Sequence, residues 1–183
     1  MGPFREVALR LTGLIDAHAS RSMAELLHAA HTLLPQLYGA ALALPVKPEE
    51  ACEDIPDDAV YTVPEPDRAA LDRHHARWRA LVDGIAAQLG PRWTHYQEVF
   101  DPYAEPPEAP VTGSLADDLA DIYLELAEGE ETWQRGDRSA AVWEWRFGFE
   151  SHWGEHVTGA LRALRALAAD HDLGFPVSSR VDV

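Results

Sequence analysis

The sequence predicts an all-α protein, a four- to five-helix bundle with two long Pro-rich loops. Three observations carry that expectation. Apolar residues recur at three- and four-residue steps through five separate stretches, the spacing of one buried helix face. No alternating segment around a Gly or Asn turn signals a hairpin. Nothing repeats at a solenoid period. At 183 residues the chain fits a single helical domain over 1–183, long enough to bury a core without staples.

The first helix is marked by Phe4, Val7, Ala8, Leu11, Leu14 and Ile15, and His18 continues the stripe. A second helix follows, capped by Ser20 or Ser22, with Leu26, Leu27, Ala30, Leu33, Leu34, Leu37 and Ala41 inward. Pro35 inside it predicts a kink or a break. Residues 44–66 hold five prolines and seven carboxylates, with Lys47 their only cation, and read as an acidic loop. A third helix opens near Pro66-Asp67 and ends at Gly90-Pro91. Its face carries Leu71, Trp78, Leu81, Val82, Ile85 and Leu89, with His74 among them. Trp93 to Phe100 reads as a short helical piece leading into a second Pro-rich loop over 101–112. Ser114 caps the fourth helix, whose inward residues are Leu115, Leu119, Ile122 and Leu126. The fifth helix runs from Arg138 to Asp170, roughly 50 Å if unbroken, and a tail covers 171–183.

Composition excludes several function classes. Fifteen Lys and Arg stand against 31 Asp and Glu, a formal net charge of −16. A surface so acidic is the wrong partner for nucleic acid or an anionic membrane. The single cysteine, Cys52, rules out a disulfide framework and a Cys-based zinc site. No signal-peptide pattern and no run of 18 apolar residues occur, so a cytoplasmic location is expected. No Gly-x-Ser-x-Gly and no phosphate-cradling Gly loop is present.

Chemistry concentrates on the fifth helix. At a uniform 100° per residue, Trp143, Phe147, Val157, Leu161, Leu164 and Ala168 share a face, with Glu150 in its middle and Arg146 one turn earlier. An ionised carboxylate among aromatics needs a partner, so Arg146, Glu150 and His74 are expected as a buried polar cluster. His152 and His156, spaced i, i+4, suit two ligands of one metal ion. A third ligand would come from His18, His74 or an acid of the fourth helix. That helix carries Asp117, Asp121, Glu125 and Glu128 as one stripe, which reads as a solvated face. Glu25 and His28 form a Glu-x-x-His step without the second step a dimetal bundle needs.

Two blocks carry a family resemblance: Gly113-Ser-Leu-Ala-Asp-Asp-Leu-Ala-Asp-Ile-Tyr123 and Ala141-Val-Trp-Glu-Trp-Arg-Phe-Gly-Phe-Glu-Ser-His-Trp-Gly-Glu-His156. With Leu34-Pro-Gln-Leu-Tyr38 and Val99-Phe-Asp-Pro102, the chain resembles a bacterial family of small helical proteins, the domain of unknown function numbered 5063, from about Phe4 to Leu167. The resemblance implies an all-helical bacterial protein and brings no catalytic residues with it. His152-x-x-x-His156 followed by Gly159, Leu161 and Leu164 is also similar to the end of the metal-binding helix of DinB-like four-helix bundles. That likeness implies a further histidine from an early helix, for which His18 is the match, and so a metal set of His18, His152 and His156.

Two functional readings follow. The first is a non-enzymatic interaction module that needs no cofactor and meets a protein partner or a second copy of itself through the aromatic helix. The second is a divalent-metal-binding bundle, a DinB-like hydrolase or transferase holding one divalent transition metal.

Overall fold

The structure, a computed structural model, describes residues 2–45, 68–99 and 103–169. The acidic segment from 46 to 66 and the tail 171–183 lie outside them.

The fold is mostly helical. In chain order come α1 (Gly2–Asp16), a 3-10 turn (His18–Ser20), α2 (Met23–Leu42), α3 (Arg68–Leu89) and the single-turn α4 (Pro91–Thr94). A two-stranded antiparallel sheet, β1 (His95–Glu98) with β2 (Val111–Ser114), precedes α5 (Leu115–Gln134). α6 (Arg138–Gly148) then continues through a π-helical turn (Phe149–Trp153) into α7 (Gly154–Ala168). No helix among the described residues is long and apolar enough to cross a membrane.

Local chemistry sets the helix ends. Ser22 begins α2 with a reciprocal capping box: its hydroxyl accepts from the Glu25 amide, and Glu25 accepts from the Ser22 amide. That occupies Glu25 and accounts for it without a metal role. α2 runs through Pro35 to Leu42. Ser114 accepts from the Asp117 amide and starts α5, and Gly136, at φ 96°, turns the chain just after it.

α5 is the central helix and touches α1, α3, α6 and α7. It buries residues on nearly every side, from Leu115 and Ala116 through Ile122, Tyr123 and Leu124 to Leu126, as a helix enclosed by others must. The inward residues expected of the first, second and fourth helices are all buried.

Two expectations about local structure are corrected. Trp93 to Phe100 is not helical throughout: the helix ends at Thr94, and 95–98 pair with 111–114. The second loop is correspondingly shorter than 101–112, because Val111 and Thr112 belong to β2. The pairing was hidden because a long excursion, not a tight turn, separates the strands.

The long last helix departs further. Its buried aromatics are Trp145, Phe149 and Trp153, whereas Trp143 and Phe147 are 45 % and 54 % exposed. Trp145, Phe149, Trp153 and Val157 are spaced by four three times over. In an unbroken α-helix twelve residues overshoot three turns by about 120°. The wider turn at 149–153 absorbs one extra residue, about 100°, and keeps all four inward. Periodicity carried back from Val157 therefore selects the wrong aromatics upstream and places Glu150 inside, where it is in fact exposed.

Candidate metal centre

The π turn opens into the end of α7 that faces α5, and there two imidazoles meet three carboxylates. His156 Nδ1 donates to Asp118 Oδ1 at 2.9 Å, and His152 Nδ1 is bonded to Glu125 Oε1. With each Nδ1 committed to a carboxylate, the neutral form of each ring carries its lone pair on Nε2. The two Nε2 atoms are 3.3 Å apart. Asp121 Oδ2 lies 3.6 Å from His156 Nε2, too far for a hydrogen bond between them. One ligand atom each from Asp121, His152 and His156 falls within 4.8 Å of the others.

The surroundings hold these groups in place. Tyr96, on β1, donates its hydroxyl to Asp118 Oδ2 at 2.8 Å, so Asp118 is gripped from both sides. Trp78 of α3 hydrogen-bonds Asp121. Glu125 reaches His152 across Gly148, where a Cβ would run into Glu125 Oε2 and sit 2.9 Å from Trp153 Cδ1. Asp118 is almost fully buried, Asp121 and His156 are half-buried, and His152 is exposed.

Burial pushes the Asp118 and Asp121 carboxyls above the usual carboxylate range, although His156 works against it. Burial also opposes charge on His156, but its bond to Asp118 and the nearby Asp121 outweigh that and raise its pKa. The Tyr96 hydroxyl is pushed up by burial and by the Asp118 charge, which keeps it a donor.

The sequence-derived candidates divide. His152 and His156 come together as expected of an i, i+4 pair. His18 is not in the cluster: α1 ends at Asp16, so His18 leaves the helical phase, bonds the Ile15 carbonyl at 2.7 Å and lies against Gly84 of α3. Arg146, Glu150 and His74 do not form one buried cluster. Arg146 and Glu150 do pair, but Glu150 is exposed. Arg146 also donates to the carbonyls of Ala41, Leu42 and Leu44 at 3.2, 3.3 and 3.4 Å, closing the end of α2. His74 sits where α3 stands away from the core, since Leu71 beside it is 41 % exposed, and it bonds Glu128 at 2.7 Å.

Sequence reasoning offered an acid of the fourth helix as one choice of third ligand without singling out Asp121, and it missed Asp118 and Glu125 as partners of the histidines. The available signal was a match of steps: carboxylates at 121 and 125, and imidazoles at 152 and 156, are each one helical turn apart.

A mostly helical bundle with a histidine–carboxylate cluster between its central and last helices is thus the class of protein that fold and site define. The chain belongs to the family described as Domain of unknown function (DUF5063), whose model matches residues 2–170. Among solved structures it is similar to protein BF1032 from Bacteroides fragilis, at 21 % identity and a TM-score of 0.63, over 98 % of this chain and 94 % of that one. That likeness concerns the fold. No curated protein matches the chain.

Proposed function

We propose that this protein binds one divalent transition metal through Asp121, His152 and His156. The observation that carries the reading is the facing pair of Nε2 atoms. Two imine nitrogens directed at each other repel unless a proton or a metal ion lies between them. Ligand nitrogens about 2.05 Å from a tetrahedral zinc stand roughly 3.3–3.4 Å apart, and these stand 3.3 Å apart. Asp121, with Oδ2 3.6 Å from His156 Nε2, brings a carboxylate oxygen within 4.8 Å of both rings and would supply the third ligand.

The supporting shell fits the same reading. Metal-bound histidines characteristically donate their other ring N–H to a carboxylate, which fixes the tautomer and strengthens the donor atom. Asp118 and Glu125 take those positions. Two nitrogens and one oxygen suit zinc or a neighbouring first-row ion better than calcium or magnesium. Three protein ligands leave a fourth position for water or substrate, the pattern of catalytic rather than structural zinc sites. A hydrolase or transferase activity would use that position.

The interaction-module reading has a narrower base. Most of the aromatic helix is core, and only Trp143 and Phe147 remain as an aromatic surface.

The test is zinc titration of chelator-treated protein with a competing indicator dye, on the parent chain and on His156→Ala and Asp121→Asn. Binding of about one zinc per chain, lost in the first variant and weakened at least tenfold in the second, is the expected result. Affinity unchanged in both variants, or no binding by the folded parent, overturns the proposal.

A further inference from the structure

Trp143 and Phe147 are large, apolar and open to solvent, yet they are ordered against each other. Their rings are stacked at 4.9 Å with only 9° between planes. They form one wall of a groove of about 590 Å³ between α5 and α6. Glu125, Glu128 and Glu131 line the α5 side at three-residue steps, and Glu144 enters from α6. The cationic or titratable groups facing them are Arg135, His74 and His152 in the groove, with Arg77 beside Glu131 just outside it.

We infer that this groove binds a small linear organic cation, an alkylammonium or guanidinium compound, with its charged end on the Trp143–Phe147 stack and its N–H groups on the α5 carboxylates. The volume falls in the range of small-molecule sites. Charge complementarity chooses the ligand class. An anion would meet four carboxylates and one arginine, and a neutral apolar compound would strip water from those carboxylates and return nothing. A cation gains both from the carboxylates and from the aromatic faces, which carry negative potential.

Several carboxylates already have one partner. Glu128 accepts from His74, Glu131 lies 3.7 Å from Arg77, and Glu144 is bonded to Thr132. A carboxylate has about four acceptor positions, so each keeps capacity for a ligand N–H. The groove shares Glu125 and His152 with the metal cluster but does not depend on a metal being bound.

Calorimetric titration of the chelator-treated full chain with spermidine, at near-physiological salt, tests the inference. Binding at one site is expected, weakened on the order of tenfold in Trp143→Ala, weakened in Glu128→Gln and retained in Trp143→Phe. Asp121→Asn, which weakens zinc binding on the reading above, is expected to leave spermidine binding intact, so the two proposals fail separately. No binding up to millimolar spermidine overturns the inference. Equal affinity in Trp143→Ala also overturns it, because attraction to diffuse acidity then suffices. Binding of an oligolysine peptide in place of spermidine would overturn it as well, in favour of a polypeptide surface.

Discussion

The carboxylate of Glu125 lies over the bare α-carbon of Gly148, so that α5 and the end of α6 approach more closely than any side chain at 148 allows. Gly148→Ala is a substitution of opposing signs. Alanine gains up to about 1 kcal/mol over glycine inside a helix, but here the added methyl strikes Glu125 and Trp153. The expected outcome is a net loss of thermal stability. Glu125 would be displaced from His152, with a loss of zinc affinity of about tenfold or more, as for other supporting residues of metal ligands. Thermal denaturation and zinc titration of this variant check the two parts independently.

Tyr96 acts on the same cluster from the opposite side. Tyr96→Phe removes the hydroxyl that donates to buried Asp118 and leaves the ring in place. A stability loss of about 1–2 kcal/mol is expected from the unmatched carboxylate. Chemical denaturation measures it.

Arg5 and Glu130 join α1 to α5 through two hydrogen bonds, at 2.7 and 2.6 Å, with Gln134 adding a third to the same carboxylate. The bonds from Arg5, against the opposing effect of burial, hold the Glu130 carboxyl below its ordinary range. A carboxyl depressed in the folded state contributes stability that is complete above its unfolded pKa, roughly 4.3. That contribution is lost as pH falls through the folded value. Glu130→Gln is expected to cost about 1–2 kcal/mol at pH 7 and to flatten the acid limb of the stability profile below pH 4. Urea melts from pH 3 to 7 provide the comparison.

Trp145 and Phe147 are two residues apart and opposite in fate. Trp145 is enclosed, stacked near Trp133, and donates its indole N–H to the Leu126 carbonyl at 3.2 Å. Trp145→Ala is expected to cost about 3–5 kcal/mol, and Phe147→Ala about 1 kcal/mol or less. Reversed magnitudes in denaturant melts would restore the uniform-period assignment of this helix.

Arg146 and Glu150 separate in the same way. Arg146→Met unpairs the carbonyls at the end of α2 and is expected to cost about 1–3 kcal/mol. Glu150→Gln touches an exposed carboxylate and should change stability by no more than about 0.5 kcal/mol. Denaturant melts of the two variants check the difference.

These contrasts mark where the amino-acid pattern was sufficient. The inward residues of α1 and α2 are single-period helix faces, and burial follows period there, whereas α5 is enclosed on most sides and its periodic residues are only part of what it buries. The i, i+4 histidines were legible for the same reason. His18 was misplaced because a helix end is a change of phase that no apolar spacing announces. The Trp143–Phe147 face was misassigned because a π turn leaves the local composition unaltered while shifting everything downstream. Asp118, Asp121 and Glu125 resemble surface acids one at a time. Their relation to His152 and His156 exists only once α7 is laid against α5, which is tertiary information.

The spare residue at 149–153 has one more consequence. It makes Arg138–Ala168 two rods joined at a fixed angular offset, with the tryptophan stack read from one origin and the imidazoles from another. Deleting Ser151 alone would restore an even pitch, and the downstream half would swing through about a quarter-turn relative to the upstream half. Lengthening or shortening this helix at its ends moves only its tip, whereas removing this one residue does what no point substitution in the helix can do: it rotates His152 and His156 as a unit away from the acids they face.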